Sequence, residues 1–272
     1  MKRNSQPVAG EFPLPCGQCI ECKLERTRQW AVRIKHEASL HASNYFATFT
    51  YSDNPISLHY PDFQKFLKRL RKQYPGVRYF MCGEYGEKKD RPHFHAALFN
   101  LSLPDLQVWK ESKGNVLSTS RILEKIWGHG FVLLGDLTFE SASYVASYCT
   151  KKISGAKADS HYQVVDLDTG EISYREPEFA RMSLKPAIAK PWFEKYQTDV
   201  TNHDHVIING REQKPPRYYD KLLEESHPNL LLKNKTLRKI KAISTNSQNT
   251  YSQLQSRKKM TLSRLSLKTR SL

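Results

Sequence analysis

Three stretches of this sequence predict an α+β fold. Residues 45–51, Tyr-Phe-Ala-Thr-Phe-Thr-Tyr, are aromatic and β-branched with partial alternation, and they end at the turn residues Ser52-Asp53-Asn54-Pro55. Val77 to Cys82 and Pro92 to Phe99 read as two strands of a hairpin around a turn at Gly86 to Asp90. Between these strands, Phe63, Phe66, Leu67 and Leu70 make a helical apolar stripe, with Lys65, Lys68, Arg69, Arg71 and Lys72 on the outer face. Asp62, after Pro61, is placed to cap that helix, and Tyr74-Pro75-Gly76 to stop it.

The remaining elements follow in order. Ile20, Leu24, Trp30 and Ile34 have helical spacing after the run Cys16-Gly17-Gln18-Cys19-Ile20-Glu21-Cys22. Leu106 to Trp127 reads as a helix interrupted near Lys113-Gly114-Asn115, and Phe131 to Leu134 as a short buried strand. Ser141 can open a helix whose positions Ala142, Val145, Ala146, Cys149 and Ile153 face the core. Residues 155–180 are polar and hairpin-like, with a turn at Asp168-Thr169-Gly170. Pro186, Pro191 and Trp192 suggest an irregular connector and short helix. Val206-Ile207-Ile208 enters an Asn209-Gly210 hairpin turn, and a helix follows Pro216 through Leu223. From about Asn234 polar and basic residues dominate, as in a disordered or loosely helical tail. We divide the chain into 1–40, a cysteine-containing segment and helix; 41–155, a core; 156–225, accessory hairpins and helices; and 226–272, a basic tail.

Composition bounds the function. The 272 residues hold 43 Lys and Arg against 27 Asp and Glu, a net charge of +16 that points to a polyanionic partner. Eleven of those cations and no acid lie beyond Glu225, so the first 225 residues are only mildly basic. No apolar run approaches the roughly 18 residues that span a membrane, and no hydrophobic segment follows the Met1-Lys2-Arg3 start. Five cysteines, three of them clustered, fit a reducing compartment better than a disulfide framework, so the expectation is a soluble intracellular protein without a membrane partner.

Three groups of residues could carry chemistry. On a strand His93 and His95 share one face, with Phe94, Ala96 and Leu98 on the other, so the histidines can chelate one ion. The hairpin brings Glu84 alongside them as a third ligand, with Glu87 in the turn the weaker candidate. Tyr144, Tyr148 and Lys152 recur every four residues and would stack as one helical ridge, a pattern that ordinary packing also produces. Cys16, Cys19 and Cys22 can bind Zn²⁺, with Cys82, Cys149 or His36 as the fourth ligand; packing of reduced cysteines at a helix start is the alternative. The second His-x-His, His203-Asp204-His205, has an acidic centre and no following tyrosine helix, and is set aside.

The strand Phe-Ala-Thr-Phe-Thr, the His-Phe-His strand and the Tyr-x-x-x-Tyr helix with its following lysines resemble the HUH endonucleases that initiate rolling-circle replication. More narrowly, the chain resembles the replication initiators of gokushovirus-type microviruses. The matching segments are Pro15 to Cys22, Cys82 to Glu87, Arg91 to Phe99, Ile126 to Gly130, Tyr144 to Lys152 and Pro215 to Leu223. Ser147 departs from a common family lysine, and Ala187 and Ala189 from family glycines.

The resemblance implies a central antiparallel sheet with flanking helices, the metal site at its centre and the tyrosine ridge reaching it. It implies Mg²⁺ or Mn²⁺ on His93, His95 and Glu84. Tyr144 and Tyr148 would be nucleophiles giving a 5′-phosphotyrosine and a free 3′-hydroxyl, with Lys152 supplying charge or binding phosphate. The implied partners are single-stranded viral DNA with its origin and the host helicase and polymerase, in the host bacterial cytoplasm. The competing readings are a non-enzymatic basic DNA-binding protein with a zinc-stabilised amino terminus, and a plasmid initiator or single-strand transposase with the same chemistry.

Overall fold

The computed structural model describes residues 15–86, 90–112, 114–148, 152–153, 155, 158–165, 169–244 and 250–267. It divides into two units. The larger, Leu24–Gln197 with Ile208–Arg211, contains the sheet.

Helix α1 (Ile20–Ala38) leads to strand β1 (Asn44–Thr50), helix α2 (Tyr60–Gln73) and the hairpin β2 (Arg78–Tyr85) and β3 (Pro92–Phe99). In α2 the expected stripe Phe63, Phe66, Leu67 and Leu70 is buried. Asp62 is not its cap, which corrects the sequence reading: the helix begins at Tyr60 with His59 as N-cap, and the Asp62 carboxylate instead accepts from the Tyr51 hydroxyl at 3.0 Å.

The helix expected over Leu106 to Trp127 is mostly a hairpin, β4 (Gln107–Ser112) and β5 (Asn115–Thr119), followed by helix α3 (Arg121–Trp127). Gly114 has φ +77°, a conformation that suits a turn and not a helix, and Val108, Trp109 and Val116 favour strands. The helix starts only at Ser120, whose hydroxyl accepts from Leu123 N–H at 3.1 Å, and ends at Gly128 in the left-handed region.

Strand β6 (Val132–Asp136), helix α4 (Phe139–Ser147), helix α5 (Ala158–Tyr162), the small hairpin β7 (Gln163–Val165) and β8 (Ile172–Tyr174), and strand β9 (Phe179–Met182) follow. Helix α6 (Lys190–His203) is longer than the connector expected there and breaks its helical dihedrals at Tyr196.

The main sheet has seven strands in the order β4-β5-β6-β1-β3-β2-β9, every described neighbour pair antiparallel. The antiparallel α+β fold is therefore present, and β3, the His-Phe-His strand, is flanked on both sides. One face packs an aromatic core in which Phe49 and Phe94 from the sheet meet Phe63 and Phe66 of α2 and Trp127 of α3. The opposite face receives α1, whose Trp30 lies 5.0 Å from Phe80, and α4.

The strands β10 (Val206–Ile208) and β11 (Arg211–Gln213) flank Asn209 and Gly210, both at positive φ as an Asn-Gly hairpin turn requires. The smaller unit contains helices α7 (Arg217–Ser226), α8 (Pro228–Ser244) and α9 (Tyr251–Ser266). Arg238 of α8 pairs with Asp204 and Asp220. Of the two states left open for the tail, the described residues of α8 and α9 are helical, and α9 buries none of its side chains.

Candidate active site

Strand register brings the expected ligands together. β2 and β3 pair with Glu84 opposite His93 and Cys82 opposite His95. Alternation puts all four side chains on the sheet face away from the aromatic core. Nε2 of each histidine lies 2.9 Å from Oε1 of Glu84, and the two nitrogens are 3.1 Å apart. His95 and Glu84 are buried; His93 is partly open.

The histidines are held from behind. Nδ1–H of His93 donates to the Arg91 carbonyl at 3.0 Å, so the neutral ring presents a lone pair at Nε2. The Thr48 hydroxyl on β1 lies 2.9 Å from Nδ1 of His95 and fixes that ring. Metal-ligating histidines are oriented in this way. Two ring nitrogens and a carboxylate oxygen at such distances repel unless a proton or metal ion lies among them. The three ligand atoms fall within 4.8 Å of one another, a set that fits one divalent ion. Burial raises the Glu84 carboxyl, but hydrogen bonds with His93 and His95 outweigh it and hold the pKa at about 2, so the carboxylate is ionised.

Helix α4 brings the tyrosines over this cluster. Its start is locked by a reciprocal cap in which Ser141 N–H donates to Thr138 Oγ1 at 3.1 Å and Thr138 N–H to Ser141 Oγ at 2.9 Å. The helix thus opens at Thr138, three residues before the expected Ser141, and buries Ala142, Val145 and Ala146. The Tyr144 ring stands edge-on to His95 at 5.1 Å, and the Tyr148 ring stacks on it at 5.6 Å and 21°. Their own centroids are 5.0 Å apart. Burial pushes both hydroxyls up, Tyr144 to about 12 and Tyr148 further, and the charge of Glu84 acts in the same direction. The hydrogen bond between them lowers Tyr144 and raises Tyr148, which identifies Tyr148 as the donor and Tyr144 as the more readily ionised phenol.

Known proteins share this sequence. Residues 44–153 match a family of replication-associated proteins described under the name ORF2. Replication-associated protein VP4 of Bdellovibrio phage phiMH2K is 33% identical over 242 residues, covering 84% of this chain and 72% of that one. Replication-associated protein ORF2 of Spiroplasma virus 4 is 34% identical over 230 residues, 78% of this chain and 68% of its own. The chain belongs to the gokushovirus-type phage replication-associated proteins. Replication-associated protein ORF4 of Chlamydia phage 1 is 28% identical over 228 residues, covering 79% of this chain and 54% of its own. No solved structure matches.

In this family member Glu84, His93, His95, Tyr144 and Tyr148 converge. Lys152 does not extend the tyrosine ridge: α4 ends at Ser147, the Tyr148 amide already bonds back to Ala146 and Val145 carbonyls, and Lys152 lies exposed outside any helix. Glu87, Cys149 and Lys151 lie outside the described residues. Cys16, Cys19 and Cys22 bring their sulfurs within 4.8 Å of one another, and Cys19 N–H donates to Cys16 Sγ at 3.2 Å. Of the proposed fourth ligands, Cys82 is buried opposite His95, and His36 stacks on Trp192 at 3.4 Å. Thr48 and Phe46, which stacks on His95 at 5.4 Å, were not singled out from the sequence as site residues. Their signal is the alternation of 46, 48 and 50 on the strand that pairs with the histidine strand.

Proposed function

We propose that this replication protein starts rolling-circle replication by nicking the viral origin, as a single-strand DNA endonuclease and strand transferase. The observation that carries this reading is the meeting of a two-histidine, one-carboxylate ligand set with two tyrosines, both rings within 5.6 Å of His95. Glu84, His93 and His95 would hold Mg²⁺ or Mn²⁺, two imidazoles favouring Mn²⁺ over a purely oxygen-loving ion. That ion would polarise the scissile phosphate and offset its developing charge.

The chain's own residues supply the rest. The phenol oxygen of Tyr144 or Tyr148 attacks phosphorus as its proton departs, forming a 5′-phosphotyrosine. The displaced 3′-oxygen leaves as a hydroxyl that the host polymerase can extend. One phosphoester replaces another, so the second tyrosine can pass the end to a new 3′-hydroxyl without ATP. Thr48 and the Arg91 carbonyl hold the histidine rings, and Phe46 and α4 shield His95 from water. Exposed Lys152 would bind DNA phosphate, and Cys16, Cys19 and Cys22 would hold a separate Zn²⁺ that stiffens the start of α1. The site of action would be the host cytoplasm, with host helicase and polymerase completing the reaction.

The test is a denaturing gel of origin oligonucleotide incubated with protein and Mn²⁺. A covalent adduct is expected that requires the metal, falls at least 100-fold in Glu84→Gln and in His93→Ala with His95→Ala, and vanishes in Tyr144→Phe with Tyr148→Phe. An adduct that persists in the double phenylalanine variant overturns the nucleophile assignment.

A further inference from the structure

Strand β4 carries one residue that its ladder does not account for. Its pairing with β5 runs Val108 to Ser118 and then Lys110 to Leu117, so Trp109 is the extra residue of a β-bulge. Bulges re-aim side chains and concentrate near active sites. Trp109 is 64% exposed, an unusual state for so large an apolar side chain, and its ring lies 5.4 Å from Phe131, itself 38% exposed.

Phe131 can be placed relative to the candidate active site by register alone. Thr50 pairs with His93, and Thr50 N–H donates to the Phe131 carbonyl at 3.0 Å, continuing the pairing of Phe49 with Val132. Residues opposite one another on adjacent strands share a sheet face. Val132 belongs to the aromatic core, so its neighbour Phe131 projects to the other face, in one row with Thr50 and His93. Two inter-strand spacings of about 4.8 Å put Phe131 roughly 10 Å from His93, about three stacked nucleotides at 3.4 Å each.

We propose that Trp109 and Phe131 form a stacking platform for bases of the single strand that flank the scissile phosphate. The proposal rests on the nicking function above and extends it with a binding subsite. Every base offers a π face, so two tilted rings hold the strand without reading its sequence. The neighbouring Lys110, also exposed, adds a cation for the backbone. Single-stranded DNA suits the pair better than a protein partner because both rings share the face on which the tyrosines meet the ligand cluster.

Fluorescence anisotropy of a labelled single-stranded oligonucleotide, in EDTA so that no cutting occurs, tests this with the full chain. Trp109→Ala should weaken binding by about 5- to 150-fold, the range for loss of one base–aromatic stack. Trp109→Phe should restore most of it, and the salt dependence should not change, because a stack releases no counterions. Phe131→Leu is the second variant, with a smaller loss in the same direction. At saturating oligonucleotide and Mn²⁺, Trp109→Ala should still reach the wild-type adduct yield. Binding of Trp109→Ala within twofold of wild type overturns the proposal. If that variant also elutes as a smaller species, the patch is instead a contact between copies of the chain. Wild-type protein that binds the oligonucleotide but never forms an adduct overturns the nicking reading alone.

Discussion

His36 and His95 are both buried histidines, yet their surroundings give them opposite uses. His95 meets a carboxylate and a hydroxyl, while His36 lies flat against Trp192 at 3.4 Å and burial drives its pKa from 6.5 to about 3. A folded state that holds a base neutral keeps its full stability above the unfolded pKa. It loses stability as pH falls from 6.5 toward 3, because only the unfolded chain takes up the proton. At pH 5 the loss is about 2 kcal/mol, from roughly 1.4 kcal/mol per pH unit. Thermal melts between pH 7.5 and 5 should therefore show a falling Tm, and His36→Phe, which keeps the stacked ring, should flatten that slope. An unchanged slope would place the acid sensitivity elsewhere. At this scale the sequence was informative wherever alternation governs: Glu84, His93 and His95 were legible because a two-residue period and one hairpin suffice to bring them together. The contact of Thr48 with His95 depends on which strand lies next to β3, and a single sequence does not print strand order.

Elements were legible where one period dominated and obscure where two were compatible. The stripe of α2 admitted only a helix. Residues 106–127 mix apolar and polar positions without a firm period, and there the turn chemistry of Gly114 and the cap at Ser120 decided between hairpin and helix. The tyrosine helix was found, but its length was overestimated, so Lys152 was assigned a place in a ridge that ends a turn earlier. The connector into α6 holds a testable strain. Ala189 is buried with φ +62°, and its amide donates to the buried carboxylate of Glu37, which also pairs with Arg78. A left-handed alanine costs about 1–2 kcal/mol, partly offset in glycine by the greater freedom of its unfolded chain. Ala189→Gly should consequently raise Tm by roughly 2 °C, measured by differential scanning calorimetry. A lower Tm would mean that chain entropy outweighs the relieved strain.

Across the whole molecule, charge and architecture are separable. No helix among the described residues is long and apolar enough to cross a membrane. Six Lys and Arg lie within residues 250–272, and those on α9 stand on a helix with no buried side chain. Such cations act on a polyanion through counterion release, which for single strands contributes about 0.7 to the salt slope per phosphate neutralised. Deleting residues 250–272 should flatten a plot of log K against log salt by up to about 4, measured by anisotropy at several salt concentrations. Parallel plots would show that these cations do not touch DNA. The order of strands has a different consequence, in the timing of synthesis. β2 and β3 can pair as soon as residue 99 is available, but the outer neighbour of β2 is β9, which begins at Phe179. At 5–20 residues per second about eighty residues take roughly 4–16 s, during which the nascent strand bearing Glu84 presents a bare edge. Two chains growing on one message would meet in that interval with matching unsatisfied backbones, so slowing translation between residues 99 and 179 should cost soluble yield.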